Sequence, residues 1–493
     1  MACDGYIGPG QKGIRWMQLS HERWRISVRF DDPNLVSCAG LIPVSALATR
    51  AGLPALLERL SVPAANAATK LLAVVLGMVA GADSISDLDL LRHGGMRRVF
   101  GGVRAPSTLG TFLRAFTFGH VRQLDAVSAR LLPALTRWAP LLPGADQIAY
   151  LDIDDTVRET HGYAKQGAGR GYTGVNGLNV LLATLSTPGS VPVIAASRLR
   201  RGGTNSMRGA PRLLSEALAT AKTAGAGAAT QGLLVVRADS AFYAHAVIAA
   251  ARRAGARFSV TVRQTPTISR AIAGIDPTTW TPIRYRTGLW DPEAGQWVSD
   301  AEVAEIRYTA FTGRRRDEHV TARLIVRRVR RLNPDHHGPG TRHLTGHATT
   351  DQLELFAAYR YHAIFTDNPA PTMAAEAAHR DHAVVEQVIA DLKNSALAHL
   401  PSGDFSANGA WLACATMAYN LTRAAGALAG TIHAKARSAT LRTRLIGVPA
   451  RLARSARRLA LHLPRDWPSE AGLDELLRAA LHDPVTAITA ITA

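Results

Sequence analysis

Apolar residues recur at helical spacing through residues 46–140. The segments PALLERL, KLLAVVLGMVAG and DLDLLRHGG place apolar side chains three or four positions apart, which predicts amphipathic helices. In APSTLGTFLRAF, Pro106 and Ser107 precede the periodic run and mark the start of a further helix. Residues 1–45 are irregular, apart from the strand-like piece WRISVRF. An irregular arm followed by short helices with tight turns is therefore predicted.

From residue 146 the pattern changes to short apolar runs that end at turn residues. QIAYLDIDDT, NGLNVLLATLS and VPVIAASR predict three strands, and a TPGS turn joins the last two. A helix near 210–224, the strand GLLVVRAD, the helix AFYAHAVIAAARRAG and the strand ARFSVTVRQ follow. The order β-β-β-α-β-α-β predicts an open mixed sheet with helices on its faces.

The remaining chain divides into three further parts. Residues 265–360 carry many Thr, Val, Tyr, Trp and Arg with turn signals such as DPEAG, which predicts a β-rich insertion. The α/β pattern resumes at YHAIFTDNP, followed by a long helix over about 373–394 and a second in GAWLACATMAYNLTRAAGAL. The tail, with RLARSARRLALHL, is predicted to be helical. The predicted units are an N-terminal arm (1–45), a helical domain (46–145), a core in two parts (146–264 and 361–430), the insertion (265–360) and a C-terminal helical Arg-rich region (431–493).

The charge balance points to a polyanionic partner. Lys and Arg number 57 against 38 Asp and Glu, a formal net charge of +19, while 47% of residues are hydrophobic. A globular protein this basic most often meets nucleic acid, and Arg suits bidentate contact with phosphate. The helices of 46–140 could then form a helix-turn-helix-like DNA reader, with an ordinary helical bundle as the equal alternative.

The cysteines and the apolar stretches indicate the cellular compartment of the protein. Cys3, Cys38 and Cys414 are odd in number and far apart, which favours a reducing compartment without a disulfide framework. The N-terminus lacks a signal-like apolar run, and the most apolar stretch, residues 71–82, is too short to span a bilayer. We therefore expect a cytoplasmic protein with no membrane contact.

Three aspartates at the end of a buried strand are costly. Side chains alternate along a strand, so Asp152 and Asp154 share a face, and Asp155 lies at the strand's end. Clustered carboxylates cost free energy unless a cation binds. A second strand stops at Asp239, with Ser240 as the expected N-cap of the next helix. The alternative is that each Asp is a turn or cap residue.

A third acid comes from the helix HRDHAVVEQVIADLKN. On an ideal helix His379, His382 and Lys393 lie within about 40° of Glu386. An apolar stripe (Val385, Val388 and Leu392) would dock on the sheet. Two Asp and one Glu suit hard divalent cations, and two ions about 3.5–4 Å apart can cleave phosphodiesters. The alternatives are a solvated Glu386 and a zinc-type His379/His382/Glu386 helix.

These segments resemble a known family. LDIDDT, VVRADSAFY and HRDHAVVEQVIADLKN are similar to the three catalytic blocks of DDE transposases of the IS1380 family, in the IS4-like group. Supporting blocks are GADSISDLDLLR, APSTLGTFLRAFTFGHVRQL and LRTRLIGVPARLARSARRLALHLP. Asp154 and Asp239 are 85 residues apart, and Asp239 and Glu386 are 147 apart, with the expected insertion in the second interval. The resemblance implies an α/β RNase H-like catalytic core.

The resemblance also implies a metal site. Asp154 stands in the D-x-T context of the family's first aspartate, and Asp239 and Glu386 match the other two acids. Asp152 and Asp155 are kept as candidate extra acids. The three matched acids would hold two Mg²⁺ ions, for which Mn²⁺ can substitute.

The group's signature Y-x2-R-x3-E-x6-K is only half retained. Glu386 and Lys393 match, whereas His379 and His382 stand at the Tyr and Arg positions. Arg380, beside His379, could supply the missing cation. The implied DNA-phosphate contacts are therefore His379, Arg380, His382 and Lys393.

The insertion carries candidates for base stacking. Aromatic side chains can stack on a base that is extruded from the duplex. In IS4-like transposases a Trp of the insertion has this role. Trp290, beside the DPEAG turn, is the first candidate and Trp297 the second. The alternative for each is a core tryptophan.

The implied function is DNA transposition by metal-dependent cleavage at element ends and strand transfer to target DNA. The family resemblance implies a cut-and-paste route with hairpin ends, terminal inverted repeats and target DNA as double-stranded partners, a homodimer on DNA, and a bacterial, nucleoid-associated location. Two rivals stay open. One is a catalytically silent terminal-repeat-binding protein derived from a transposase, and the other is a general nuclease of the same fold.

Overall fold

The computed structural model describes most of the chain. The described residues are 20–161, 164–171, 174–283, 289–291, 296–298, 301–330, 359–455 and 458–481. For the short strands around Trp290 and Trp297 only the backbone is described. Cys3 lies outside the described residues, and Cys38 and Cys414 are buried free thiols.

The N-terminal helices pack around one long helix near the C-terminus. Helices α1 to α6 are Leu41–Arg50, Leu53–Glu58, Ala67–Ala80, Met96–Val99, Pro106–Arg114 and Phe118–Thr136, with a 3₁₀ turn at Ser86–Arg92. The long helix, Phe405–Leu428, is buried over most of its length and contacts α3 and α6. Because the apolar residues of these helices join the same core as the sheet, this region has the packing of a bundle fused to the α/β unit.

A large mixed sheet forms the centre of the molecule. Strands β1 to β7 are Leu35–Val36, Ile148–Glu159, Gly169–Arg170, Asn176–Ser186, Val193–Arg201, Leu233–Ala238 and Arg257–Val262. The core order is β5-β4-β2-β6-β7, in which β2, β6 and β7 are parallel and β4 is antiparallel to both neighbours. With α7 (Ala210–Thr223) and α8 (His245–Arg253) between strands, the predicted β-β-β-α-β-α-β order is observed.

The long helix also covers the β5 side of the sheet. The side-chain amide of Asn420 donates to the Ile194 carbonyl at 2.9 Å and accepts from the Ile194 N–H at 2.9 Å. This pairing satisfies backbone groups that a β-strand would otherwise leave without a partner.

The described strands of the insertion extend this sheet. Helix α9 is Pro266–Ala273, and strands β8 to β13 are Thr281–Ile283, Leu289–Asp291, Gln296–Val298, Ala301–Ala310, Val320–Arg330 and Tyr359–Thr366. β13 pairs antiparallel with β7, and β12, β11 and β8 follow in order, so the core and the insertion share one sheet. β9 and β10 form a separate two-stranded ribbon in which Trp290 pairs with Trp297.

The predicted helix over 373–394 is interrupted. Helix α10 is Thr372–Arg380, a 3₁₀ turn spans Asp381–Ala383, and α11 is Val384–Lys393. A 3₁₀ turn has about three residues per turn rather than 3.6, so it changes the helical phase between its two flanking helices. The ideal-helix prediction that His379 and Glu386 share one face is therefore wrong: His379 is buried and Glu386 is exposed.

The C-terminal region departs from the helical prediction. After the long helix α12 come α13 (Thr431–Ala434), α14 (Ser438–Leu441), a π-helical turn (Arg442–Ile446) and α15 (Glu470–Leu481), but β14 (Ala450–Ser455) and β15 (Arg458–His462) stand where a helix was predicted. They form a hairpin on β1. In β14 the buried Ala450 and Leu452 alternate with exposed Arg451, a strand period that the Arg-rich composition obscured.

The strand expected in WRISVRF is also absent. A 3₁₀ turn occupies Arg23–Arg25, and Ile26 to Phe30 have no regular secondary structure. Phe30 is fully exposed, so this alternating segment has no sheet face to bury. Among the described helices, none is both long and apolar enough to cross a membrane.

Candidate active site

The two parallel strands β2 and β6 bring Asp154 and Asp239 together. Their parallel register ends with the pair Ile153 and Ala238, so Asp154, inside β2, lies level with Asp239, which directly follows β6. The prediction that the strand ends at Asp155 is wrong, because β2 stays paired with β4 as far as Glu159. The carboxyl ends of neighbouring parallel strands are where open α/β sheets bind ligands. Both aspartates line one cleft of about 970 Å³, as the sequence pattern predicts.

Asp154 is held in its deprotonated form only weakly. Its Oδ1 accepts a hydrogen bond from the Asp155 N–H at 2.7 Å. Burial nonetheless raises the pKa of Asp154 to about 6, and the charges of Asp239 and Asp155 act in the same direction. A positive ion in the cleft would relieve both effects.

Asp239, like Asp154, accepts a backbone hydrogen bond and has a raised pKa. Its Oδ1 accepts from the Ala241 N–H at 2.9 Å, so Asp239 itself caps the 3₁₀ turn Ser240–Phe242 and the predicted capping by Ser240 is wrong. Burial raises the pKa of Asp239, and the charge of Asp155 adds to it. Two partly desolvated carboxylates in one cleft are a donor set that fits a hard divalent cation such as Mg²⁺.

Asp152 is bound within the protein instead. It is fully buried, and Arg237 on β6 donates from Nε to Oδ1 at 2.6 Å and from Nη2 to Oδ2 at 2.7 Å. His382 Nδ1 lies 3.0 Å from the same Oδ1. Burial opposes ionisation, but the His382 hydrogen bond and the Arg237 charge outweigh it and hold the pKa of Asp152 below its usual range. With both oxygens occupied, Asp152 does not suit the extra metal-ligand role.

Asp155 borders the cleft but is also heavily bonded. It accepts from Asn179 Nδ2 at 2.8 Å, from Ser206 Oγ at 3.2 Å and from the Arg200 guanidinium. These partners occupy its carboxylate oxygens, which leaves Asp155 less suited than Asp154 to a metal-ligand role. The geometry therefore supports the preference for Asp154 over its two neighbours.

His379 is enclosed by the sheet. Its Nδ1 lies 2.9 Å from Ser259 Oγ and its Nε2 2.9 Å from Thr261 Oγ1, both on β7. Burial, with the positive charges of His382 and Arg237, lowers the pKa of His379 to about 3, so the ring is neutral. This placement does not favour the predicted phosphate contact.

The other three predicted phosphate contacts lie nearer the surface. His382 bonds Asp152, and its charge lowers the pKa of both Asp154 and Asp239, which places it beside the cleft. Arg380 pairs with Glu376 at 3.3 Å. Lys393 is partly buried, which lowers its pKa, as does Arg158, while the nearby Asp154 acts in the opposite direction. Of the three, His382 and Lys393 are the ones close enough to the aspartates to influence them electrostatically.

Glu386 is not gathered with the aspartates. It lies exposed on α11 and does not line the cleft, although Val385, Val388 and Leu392 of the same helix are buried as predicted. Within the described residues no group of three His, Cys, Asp or Glu is placed to hold a metal ion, which applies to the zinc-type helix as well. The structure thus brings two of the three predicted acids together.

Sequence reasoning missed the two arginines that organise the acids. Arg237 interrupts the apolar run LLVVRAD and Arg200 is the penultimate residue of the strand VIAASRLRR, and both are buried. A charged residue inside an otherwise apolar strand was the available signal, because such a charge requires a buried partner. Three aromatic residues also line the cleft unpredicted, and two of them, Tyr243 and Phe311, stack at 5.3 Å between ring centroids. The Trp290 and Trp297 side chains, the predicted stacking candidates, lie outside what the structure describes.

Comparison with known proteins gives a family match over most of the chain. The family model described as Transposase DDE domain group 1 matches residues 19–482. A search of curated proteins finds no match. The family match covers the helices, the mixed sheet and the cleft that contains Asp154 and Asp239. The chain therefore belongs to the DDE transposases, a family of DNA phosphoryltransferases.

Proposed function

We propose that this chain is the transposase of an insertion sequence of the IS1380 family, cutting at the element's ends and joining them to target DNA. Family membership implies DNA transposition with divalent metal ions. The observation that carries the proposal is the cleft shared by Asp154 and Asp239, at the point where the parallel pairing of β2 and β6 ends. The strand order β5-β4-β2-β6-β7 supports an RNase H-like core for it.

The metal site is proposed to consist of Asp154, Asp239 and Glu386. When bound, two Mg²⁺ or Mn²⁺ ions would activate water or a 3′ hydroxyl and stabilise the leaving oxygen. The raised pKa values of both aspartates support this assignment, since cation binding offsets the repulsion between them. Glu386 is proposed to complete the set once DNA and metal are present, through a shift of α11 relative to the sheet.

The DNA substrate is proposed to be double-stranded, comprising the terminal inverted repeats and the target. The net charge of +19 supports contact with a polyanion. His382 and Lys393 are proposed to meet phosphates beside the cleft, because both side chains interact electrostatically with Asp154. Handling two ends together implies a homodimer on DNA, and the resemblance favours cut-and-paste through hairpin ends.

A plasmid excision assay tests the proposal. Asp239→Asn keeps the size of the side chain and an oxygen for capping, but removes the charge that a cation needs. Asp276→Asn is the matched control, because Asp276 also caps a 3₁₀ turn, accepting from Thr278 N–H at 2.8 Å, on the exposed surface away from the cleft. We expect excision to be lost with Asp239→Asn and retained with Asp276→Asn. Excision at the wild-type level with Asp239→Asn would refute the catalytic assignment.

The same assay separates the rivals. A wild-type protein that binds terminal repeats but never excises would be a silent DNA-binding derivative. A protein that cuts DNA with and without terminal repeats equally well would be a general nuclease. The paired, desolvated aspartates argue against the first rival, because a protein that only binds DNA gains nothing from keeping this costly arrangement.

A further inference from the structure

Arg200 lies at the end of β5, beneath the loop that leads to α7. The side chain is buried, with 7% of its surface exposed, although guanidinium groups are normally solvated. It faces Asp155 and Asn179 on one side and the loop Gly203–Arg208 on the other. Burying a charge at this position is costly unless every donor is satisfied.

The guanidinium meets that requirement with an unusual set of acceptors. Its Nη1 donates to three backbone carbonyls of the loop: Asn205 at 3.3 Å, Ser206 at 2.8 Å and Arg208 at 2.9 Å. Its Nε and Nη2 both donate to Asn179 Oδ1, at 2.9 and 2.7 Å, and Nη2 also donates to Asp155. One side chain therefore ties the loop to the residue that follows Asp154.

Glycines fix both ends of the loop. A Cβ on Gly202 would lie 2.0 Å from the Gly177 carbonyl oxygen and 2.2 Å from that of Gly169, so the chain there is pressed against β3 and β4. Gly209 has φ +80°, which favours glycine, and precedes the first residue of α7. The loop is thus anchored at its start, its centre and its end.

The loop forms one side of the cleft. Thr204, Asn205 and Ser206 line it together with Asp154 and Asp239. Because the Asn205 carbonyl points at Arg200 and the peptide is trans, the Ser206 N–H points away from the guanidinium. Hydroxyl, amide and backbone N–H groups of this kind are the usual neutral donors to DNA phosphates.

We propose that Arg200 is a positioning residue that holds loop 203–208 as the wall contacting the DNA backbone beside the scissile phosphate. The inference rests on the proposed function and deepens it. Arg200 itself need not touch DNA; it acts by fixing the loop and Asp155, and the loop contributes the contacts. The assignment adds a structural element to substrate binding that lies outside the Asp, Asp and Glu set.

Arg200→Lys tests the proposal, because Lys keeps the charge but cannot donate to the loop, Asn179 and Asp155 at once. Arg198→Lys is the matched control: Arg198 is two residues earlier on β5, and pairs with Glu216 at 2.7 Å away from the cleft. The measurements are hydrogen–deuterium exchange of residues 203–208, affinity for element-end DNA, and single-turnover cleavage at saturating DNA with Mg²⁺.

We expect Arg200→Lys to accelerate exchange in 203–208 and to weaken DNA affinity and slow cleavage by about tenfold or more. Arg198→Lys should change none of the three. Wild-type exchange, affinity and rate in Arg200→Lys would overturn the inference while leaving the proposed function intact. The proposed function fails in a different way, through a wild-type protein that does not cut element ends.

A second variant covers the case in which Arg200→Lys does not fold. Thr204→Ala removes a hydroxyl that lines the cleft and makes no described contact with Arg200. We expect unchanged thermal stability with a severalfold loss of DNA affinity. Unchanged affinity in Thr204→Ala, together with Ser206→Ala, would contradict a DNA-contacting loop.

Discussion

Asp152 and Asp154 are two residues apart on one strand, yet their surroundings drive them in opposite directions. Asp152 is fully buried, but its hydrogen bond with His382 and the charge of Arg237 outweigh the burial and lower its pKa. Asp154 is half-buried, and desolvation raises its pKa to about 6, with the charges of Asp239 and Asp155 acting in the same direction. The first is a structural ion pair and the second is a destabilised charge open to the cleft. Environment, rather than residue type, separates the two roles.

Replacing Asp154 with Asn should stabilise the metal-free protein near neutral pH. A carboxyl whose folded pKa lies above its ordinary value of 3.8 binds its proton more tightly when folded. Its contribution is most favourable below pH 3.8 and is lost as the pH rises to about 6. We expect Asp154→Asn to raise the free energy of unfolding by on the order of 1–2 kcal/mol at pH 7.5 in EDTA. Urea denaturation measures it, and the gain should shrink as the pH falls towards 4.

Two results would count against that expectation. One is a lower free energy of unfolding for Asp154→Asn at pH 7.5. The other is a gain that persists unchanged at acidic pH, which would mean that charge is not its cause.

Removing the Arg237 side chain should strongly lower the free energy of unfolding. Arg237→Ala leaves Asp152 buried without its ion-pair partner, and breaking such a pair costs about 3–5 kcal/mol. Arg478→Ala is the control, since its pair with Asp474 is largely exposed, and such pairs contribute about 0–1 kcal/mol. Urea denaturation should show a large loss for the first variant and almost none for the second. Equal effects would contradict the burial argument.

At the scale of elements, the site is a meeting point between strand ends and the segment α10–3₁₀–α11. His379 fixes that segment through Ser259 and Thr261, and His382 fixes it through Asp152. These tertiary contacts set where the helix is interrupted. They cannot be deduced from helical periodicity in the sequence. Glu386, on the second helix of this segment, is exposed.

The elements that could be predicted from sequence are those whose pattern is local. Strands β2, β4, β6 and β7 each contain an apolar run, and parallel strands place Asp154 beside Asp239 once their order is known. The end of β2 was not predictable in this way, because its pairing with β4 carries it past Asp155 to Glu159. The 3₁₀ turn and the hairpin β14–β15 could not be predicted in the same way, because each depends on partners distant in sequence. The strand position of Arg200 signalled that a buried partner is required, but its acceptors could not be predicted, because they are Asp155, Asn179 and three backbone carbonyls of the loop 203–208.

Glu386→Gln should separate catalysis from stability. Because Glu386 is exposed, its replacement should change the free energy of unfolding by less than about 0.5 kcal/mol. Cleavage should fall by about 100-fold or more, since even residues that only support metal ligands are worth about 10–100-fold. Gln387→Ala, at the neighbouring exposed position, is the control and should cut at the wild-type rate. A Glu386→Gln protein that cleaves like wild type would remove Glu386 from the site.

At the scale of the molecule, one core joins the N-terminal helices, the mixed sheet and α12. The described strands of the insertion lengthen the sheet on the β7 side, so the cleft walls come from both the core and the insertion. Because of this continuity, the core and the described strands of the insertion form one sheet. The net charge of +19 then acts as one field on a DNA partner.

DNA affinity should accordingly depend strongly on salt. If six to ten phosphates are contacted, the association constant should fall by about 10³–10⁵ between 50 and 200 mM salt. Fluorescence anisotropy with element-end DNA at several salt concentrations measures the slope. An association constant that does not change with salt concentration would contradict DNA binding driven by the net positive charge of the protein.

The central claim is that Asp154, Asp239 and Glu386 together hold divalent metal against DNA. Mn²⁺ binding, followed by electron paramagnetic resonance with element-end DNA present, tests it most directly in wild type and in the Asp239→Asn and Glu386→Gln variants. The account predicts bound Mn²⁺ in wild type, and loss or marked weakening of it in each variant. Wild-type Mn²⁺ binding in both variants would contradict it.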